Sequence, residues 1–135
     1  MRPILLIIFI LFIGRSEAQT MKIPDRIKSA FAGTWVYKIK FQTNTVVIWF
    51  EPGKEYASFK DIGSGEAPPR TFRAQLKGKV LFIPAKQGLN DELEMEVVKG
   101  KLNLRVKPII WDEKGNIVKT GTVETRIFKR TTKEK

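Results

Sequence analysis

The stretch Glu92-Leu93-Glu94-Met95-Glu96-Val97-Val98-Lys99-Gly100-Lys101-Leu102-Asn103-Leu104-Arg105-Val106 decides the fold. Two runs of alternating residues flank Lys99-Gly100. Leu93, Met95 and Val97 share one face of the first run, and Leu102, Leu104 and Val106 share one face of the second. Period-two alternation marks a half-buried strand, and a glycine-containing pair between two such runs marks a tight hairpin. The polar faces agree: Glu92, Glu94 and Glu96 oppose Lys101, Asn103 and Arg105. Opposite charges across an antiparallel pair contribute roughly 0.2–1 kcal/mol each. Carboxylates in a period-two row describe a solvated sheet face rather than a catalytic set.

The same period extends in both directions. Trp35, Tyr37, Ile39 and Phe41 alternate with Val36, Lys38 and Lys40 in a first strand that begins at Thr34, and Gln42-Thr43-Asn44 is expected to turn the chain. Residues 45–50 and 55–61 form strands two and three around Glu51-Pro52-Gly53-Lys54, where Pro and Gly occupy favoured turn positions. Residues 71–76 and 79–83 form strands four and five around Lys77-Gly78, and residues 62–70 and 84–91 are longer loops. The seventh strand is expected to pass Pro108 through a bulge and reach Trp111. The eighth runs over residues 118–129 with a kink at Gly121. The fold class is therefore all-β: an eight-stranded antiparallel up-and-down meander whose sheet edges disappear by closure into a barrel.

Composition narrows the function. The chain has 135 residues, one domain's worth, with 42% hydrophobic and 29% charged residues, an ordinary globular balance. It contains neither Cys nor His, which removes disulfides, thiol nucleophiles, Cys or His metal sites and any catalysis that needs an imidazole. No spacing among the remaining carboxylates, hydroxyls, Lys and Arg identifies a reaction, so no catalytic residue, metal or cofactor is assigned. Arg2, the apolar residues 3–13 and Ser16-Glu17-Ala18 have the layout of a secretory signal peptide, residues 1–18, cut before Gln19. The uninterrupted run, residues 4–13, is too short to span a bilayer, which takes about 20 residues, so no transmembrane span is expected once the signal is gone. The chain carries +11, and removing Arg2, Arg15 and Glu17 with the signal leaves +10. In an exported protein that charge either keeps a small protein soluble or points to anionic lipid, an anionic envelope polymer or an acidic protein surface rather than to nucleic acid.

Meander topology sorts the connections. Loops two, four and six are tight and share one end; loops three and five are long and frame the other. Residues 19–32 lead into the barrel, residues 33–130, with Asp25 expected to cap a short helical plug that carries Ile27 and Phe31 to the tight end. The long-loop end is the expected mouth. Lys54, Lys77, Lys79, Lys99 and Lys101 collect at the tight end, joined by Lys129 and Arg130 and by a basic tail, residues 131–135, that holds Lys133 and Lys135.

Phe31-Ala32-Gly33-Thr34-Trp35 resembles the Gly-x-Trp opening of the lipocalins and the wider calycin superfamily, and Thr125-Arg126-Ile127-Phe128 resembles their last strand. It also looks like the Thr-Arg-x-Tyr ending of the fatty-acid-binding proteins, with Phe128 in place of the Tyr. The chain lacks the disulfide cysteines and the Thr-Asp-x-x-Tyr motif of secreted lipocalins, and has no room for a two-helix lid after the first strand. It is most similar to the short lipocalin-like domains of exported bacterial proteins. The resemblance implies a barrel plugged at its base by a helix, with Trp35 in the base and Arg126 packed against it, and a small apolar or amphipathic molecule as ligand.

The ligand-binding candidates are the inward residues of the strands near the mouth: Ile39, Phe41, Phe72, Phe82, Leu93, Val106 and Trp111. Tyr37 and Met95 are placed deeper. Arg126 has two readings, outward with Thr125 and Ile127 or inward with Phe128, and one residue of register reverses the answer. Eight-stranded barrels are either packed solid or hold one small ligand. The alternative to a carrier is a solid barrel that binds a protein or the cell envelope through its loops or basic face.

Overall fold

The computed structural model describes residues 22–131. The expected signal peptide, its expected cut after Ala18, Lys133 and Lys135 lie outside the described residues. The elements are α1 (Asp25–Phe31), β1 (Gly33–Ile39), β2 (Gln42–Trp49), β3 (Tyr56–Gly63), β4 (Arg70–Lys77), β5 (Val80–Ile83), β6 (Glu92–Val98), β7 (Lys101–Lys107), β8 (Ile109–Trp111), β9 (Ile117–Thr120) and β10 (Glu124–Arg130). Eight strands close a barrel in the order β1-β10-β7-β6-β5-β4-β3-β2, with every neighbour antiparallel, while β8 and β9 pair with each other as a separate ribbon. The expected eight-stranded antiparallel barrel with one short helix before its first strand is what the chain forms.

The β6–β7 hairpin has the expected register, with Leu93 opposite Val106, Met95 opposite Leu104 and Val97 opposite Leu102. Outside, Arg105 lies 3.1 Å from Glu94 and 3.4 Å from Glu96, and Lys107 lies 3.6 Å from Glu92. Its Lys99-Gly100 turn has φ of 53° and 78°. Positive φ at both central residues is the geometry that follows strand twist best, but the left-handed region costs a Lys about 1–2 kcal/mol.

The lower half of the barrel is filled. Trp35, Ile48, Ala57, Phe59, Ala74, Leu81, Met95, Leu102 and Phe128 are all buried, each contributed by the inward parity of its strand. Beneath them α1 carries Phe31 into the core and Ile27 against it. Asp25 makes no side-chain cap, contrary to expectation. Pro24 is the N-cap residue and Asp25 the first helical one, where its charge complements the helix N-terminus without a hydrogen bond.

Barrel closure joins β1 to β10 with Trp35 opposite Arg130 and Val36 opposite Lys129. Here the structure corrects a second expectation, because Arg130, not Arg126, stacks on Trp35, its guanidinium carbon 4.5 Å from the ring centroid. Arg130 Nη2 also donates to the carbonyl oxygens of Ser29 and Ala30, and Trp35 Nε1 donates to that of Phe31 at 2.8 Å. Arg126 sits two pairs away from this base along the same face of β10. Gly33 makes room for the stack: its φ is +135°, and a Cβ there would lie 3.3 Å from Arg130 Nε.

Two boundaries differ from expectation. The first turn is Lys40-Phe41, and residues 42–44 are already strand, with Ile39 opposite Gln42 and Tyr37 opposite Asn44. A two-residue connection is the shortest that joins antiparallel strands, and β-branched Thr43 and Thr45 extend the ladder back to it. The seventh strand stops at Lys107, because Pro108 has no N–H for the ladder. The chain then leaves the barrel as the β8–β9 ribbon and is pinched shut where Gly121 N–H donates to Pro108 O at 2.8 Å. A Cβ at position 121 would lie 3.2 Å from that of Pro108, so the kink expected inside one strand is a break between two.

Arg130→Met is expected to lower the unfolding free energy by about 1–2 kcal/mol in urea titrations, since it removes a cation–π contact and two charge-assisted hydrogen bonds. Lys99→Asn is expected to raise it by about 0.5–1 kcal/mol, because Asn tolerates the left-handed turn position better.

Candidate functional site

Above the filled half, the barrel is open. A cavity of about 500 Å³ occupies the long-loop end. Its floor is Val46, Phe59, Leu104 and Phe128, and its walls include Phe72, Leu93 and Val106. Phe59 and Phe72 face each other across the β3–β4 pair with ring centroids 6.4 Å apart. Three polar side chains enter from inward strand positions: Asn44 from β2, Asp61 from β3 and Arg126 from β10. Each continues the parity of buried neighbours, Asn44 that of Val46 and Ile48, Asp61 that of Ala57 and Phe59, and Arg126 that of Phe128.

Arg126 therefore faces inward. Its Nε donates to Glu124 Oε2 at 2.9 Å and its Nη2 to Glu124 Oε1 at 3.3 Å, a two-pronged pair. The pair holds the Glu124 carboxyl below the usual carboxylate range, chiefly through the hydrogen bond and then through the charge of Arg126. The guanidinium is in turn raised by its hydrogen bond to Glu124, against the cost of burial, with smaller contributions from the charge of Glu124, Tyr37 and Asp61.

The loops that frame the mouth are tied to one another. Arg70 Nη1 donates to Leu89 O at 2.7 Å while its guanidinium carbon lies 5.3 Å from the Phe72 ring centroid, so the start of β4 holds the loop of residues 84–91. Within that loop Asn90 Nδ2 donates to Pro84 O and Asp91 O, and Lys86 bridges Asn90. Gln87 Nε2 donates to Asp112 O in the β8–β9 ribbon at 3.4 Å, and Asp91 Oδ1 accepts from Ile109 N–H. The ribbon turn is organised by Asp112 Oδ1, which accepts from the backbone N–H groups of Lys114 and Asn116 at 2.9 Å each. These bonds, that of Asn116 foremost, lower the Asp112 pKa. Leu89, Ile109 and Trp111 are thereby placed over the cavity, which a shallower depression under residues 61–68 adjoins at Asn44, Asp61 and Arg70.

Of the residues singled out by sequence, Phe72, Leu93, Val106, Trp111 and Arg126 line the cavity. Met95 is buried in the filled half, and Tyr37 packs on Phe128 with ring centroids 5.4 Å apart. Three inward placements are corrected. Phe41 is 98% exposed because it is the tip of the first turn, and Ile39 beside it is also exposed. Phe82 lies on the outer face of β5, between inward Leu81 and Ile83, with Lys77 Nζ 4.0 Å from its ring centroid. Alternation could have found Asp61, which keeps step with Ala57 and Phe59. Asn44 was hidden by the turn expected there, and Arg70 and Lys86 lie where no period operates.

No family model matches the chain, and neither a curated protein nor a solved structure matches it. The likeness to calycins is thus one of architecture, eight antiparallel strands closed behind a short helix. Among the described residues no helix is long and apolar enough to cross a membrane, and no cluster of acidic side chains could hold a metal ion.

The Glu124–Arg126 pair sets a pH dependence. A carboxyl whose pKa is depressed on folding contributes stability that is fully present above its unfolded pKa and lost as pH falls through its folded one. Thermal unfolding of wild type and Glu124→Gln is therefore expected to differ at neutral pH and to converge on acidification below the ordinary glutamate range. A constant difference would show that the pair does not titrate with folding.

Proposed function

We propose that this chain is an exported, lipocalin-like barrel that binds one small amphipathic molecule through its long-loop mouth and performs no chemistry on it. The observation that carries the reading is the half-filled barrel, whose cavity of about 500 Å³ falls within the roughly 300–1,000 Å³ of small-molecule sites. An apolar portion of the ligand would rest on Val46, Phe59 and Phe128, while Asn44, Asp61 and Arg126 offer a polar group both acceptors and donors. That mixture suits a head group with hydroxyl or amide character as well as an anionic one. The chain has no imidazole or thiol, and the cavity carboxylates Asp61 and Asp91 have no hydroxyl among the lining residues to activate, which favours binding over catalysis.

The test is native mass spectrometry of the chain from Gln19 onward, before and after extraction with organic solvent, followed by titration with a fluorescent fatty-acid probe. A removable bound mass, or probe uptake by the extracted protein, is the expected result. Leu93→Trp with Val106→Trp places two indoles at a cross-strand pair on the cavity wall. This variant is expected to reduce uptake by about tenfold or more while circular dichroism stays that of the barrel. A clean apo mass with no uptake by wild type would overturn the reading in favour of a barrel that works through its surface.

A further inference from the structure

The closed end of the barrel differs from the mouth in charge. The three tight turns and the end of β10 place Lys54, Lys77, Lys79, Lys99, Lys101 and Lys129 there, all exposed, and α1 adds Arg26 and Lys28. The carboxylates at that end are Asp25, Glu51 and Glu55. None of them forms an ion pair. Every ion pair among the described residues lies on the β6–β7 flank or at Arg126. Two local choices add positive charge where the backbone disfavours it: Lys101 and Lys129 are direct cross-strand partners, and Lys99 occupies a left-handed turn position. Like charges placed opposite each other on a sheet destabilise it, so this arrangement runs against stability in both places.

We propose that this closed end docks on an anionic lipid surface. The inference does not depend on the carrier reading. Because the barrel is closed, the turns stand around its whole circumference, so the cations form a ring suited to a plane of head groups rather than a track suited to a linear polymer. Tyr56 and Phe82, aromatic rings on the outer face near this end, already carry Arg73 and Lys77 over them at 4.5 and 4.0 Å, which leaves no open platform for stacked bases. The turn tips at Pro52-Gly53, Gly78 and Gly100 bear no large apolar side chain and only Val98, beside Lys99, adds an exposed apolar one among these three turns, whereas exposed Phe41, Leu89 and Ile110 belong to the mouth end. Contact is therefore confined to the head-group layer, is mainly electrostatic, and is screened by salt. It leaves the mouth facing water.

The experiment is co-sedimentation of the chain from Gln19 with vesicles of phosphatidylcholine alone or with about one third phosphatidylglycerol. Wild type is expected to bind the anionic vesicles at about 0.05 M salt, to leave them near about 0.5 M, and to ignore neutral ones. The variant with Lys77, Lys79, Lys99 and Lys101 changed to Gln is expected to bind about a hundredfold more weakly. A charge-matched variant with Lys38, Lys40, Lys114 and Lys119 changed to Gln, at the mouth, is expected to stay within about threefold of wild type. Equal loss in both variants would reduce the effect to net charge and overturn the proposal. So would failure of wild type to bind anionic vesicles, or binding of soluble polyphosphate in its place. Should the closed-end variant not fold, the wild-type dependence on lipid charge and salt, together with the mouth variant, still decides.

Discussion

Closure between the first and last strands is the constraint on which the rest depends. The β1–β10 seam is short, and one side chain fastens it from beneath: Arg130 lies over the indole of Trp35 and reaches the carbonyl groups at the end of α1. Those carbonyls would otherwise be left without partners at a helix terminus, and the guanidinium adds the favourable sign of charge there. The indole N–H takes the next carbonyl, that of Phe31. The helix, the first strand and the last strand thus meet at one stacked pair. Glycine suits position 33 because its φ of +135° strains any other residue and a Cβ there would crowd Arg130 Nε at 3.3 Å.

With the base fixed, the division of the interior follows from side-chain size and parity. Inward residues of the lower half, Trp35 and Phe128 among them, fill the space across the barrel. Toward the mouth the inward parity delivers Asn44, Asp61 and Arg126, polar groups that stay hydrated more cheaply than they can be buried. Their presence keeps the upper half open. The loops above are held by side-chain bonds to backbone carbonyls rather than by apolar packing, an arrangement that fixes a rim without filling what it surrounds.

Most of the architecture was legible because alternation reports burial directly. That rule alone places Leu93, Val106 and Phe72 inward, and the β6–β7 register follows from the Lys99-Gly100 turn, with which its charges agree. The failures were failures of phase at connections. Phe41 continues the inward parity of Trp35, Tyr37 and Ile39, yet parity means nothing once a two-residue turn takes the residue out of the sheet. Phe82 keeps the step of Val80 on the outer face, and its aromatic character gave no sign that Lys77 would cover it from outside. Arg126 and Arg130 have the same parity on one strand, so which of them reaches Trp35 depends on strand stagger, which the sequence does not encode locally. The separation of β8 and β9 from the barrel depends on the contact of Pro108 with Gly121, two residues that each permitted a milder reading by itself.

The fastening of the base also bears on how the chain reaches this state. The hydrogen bond from Arg130 to Ala30 spans 100 residues, so the loop it closes is nearly the whole described chain. A chain that ends before β10 has seven of the eight barrel strands but two open edges, at β1 and β7, and no cation for Trp35. Unpaired edges of that kind recruit other chains. Folding to a closed barrel is therefore an event of the last strand: during synthesis the molecule passes through an open sheet until β10 is in place, and loss of β10 converts a self-contained barrel into a template for aggregation.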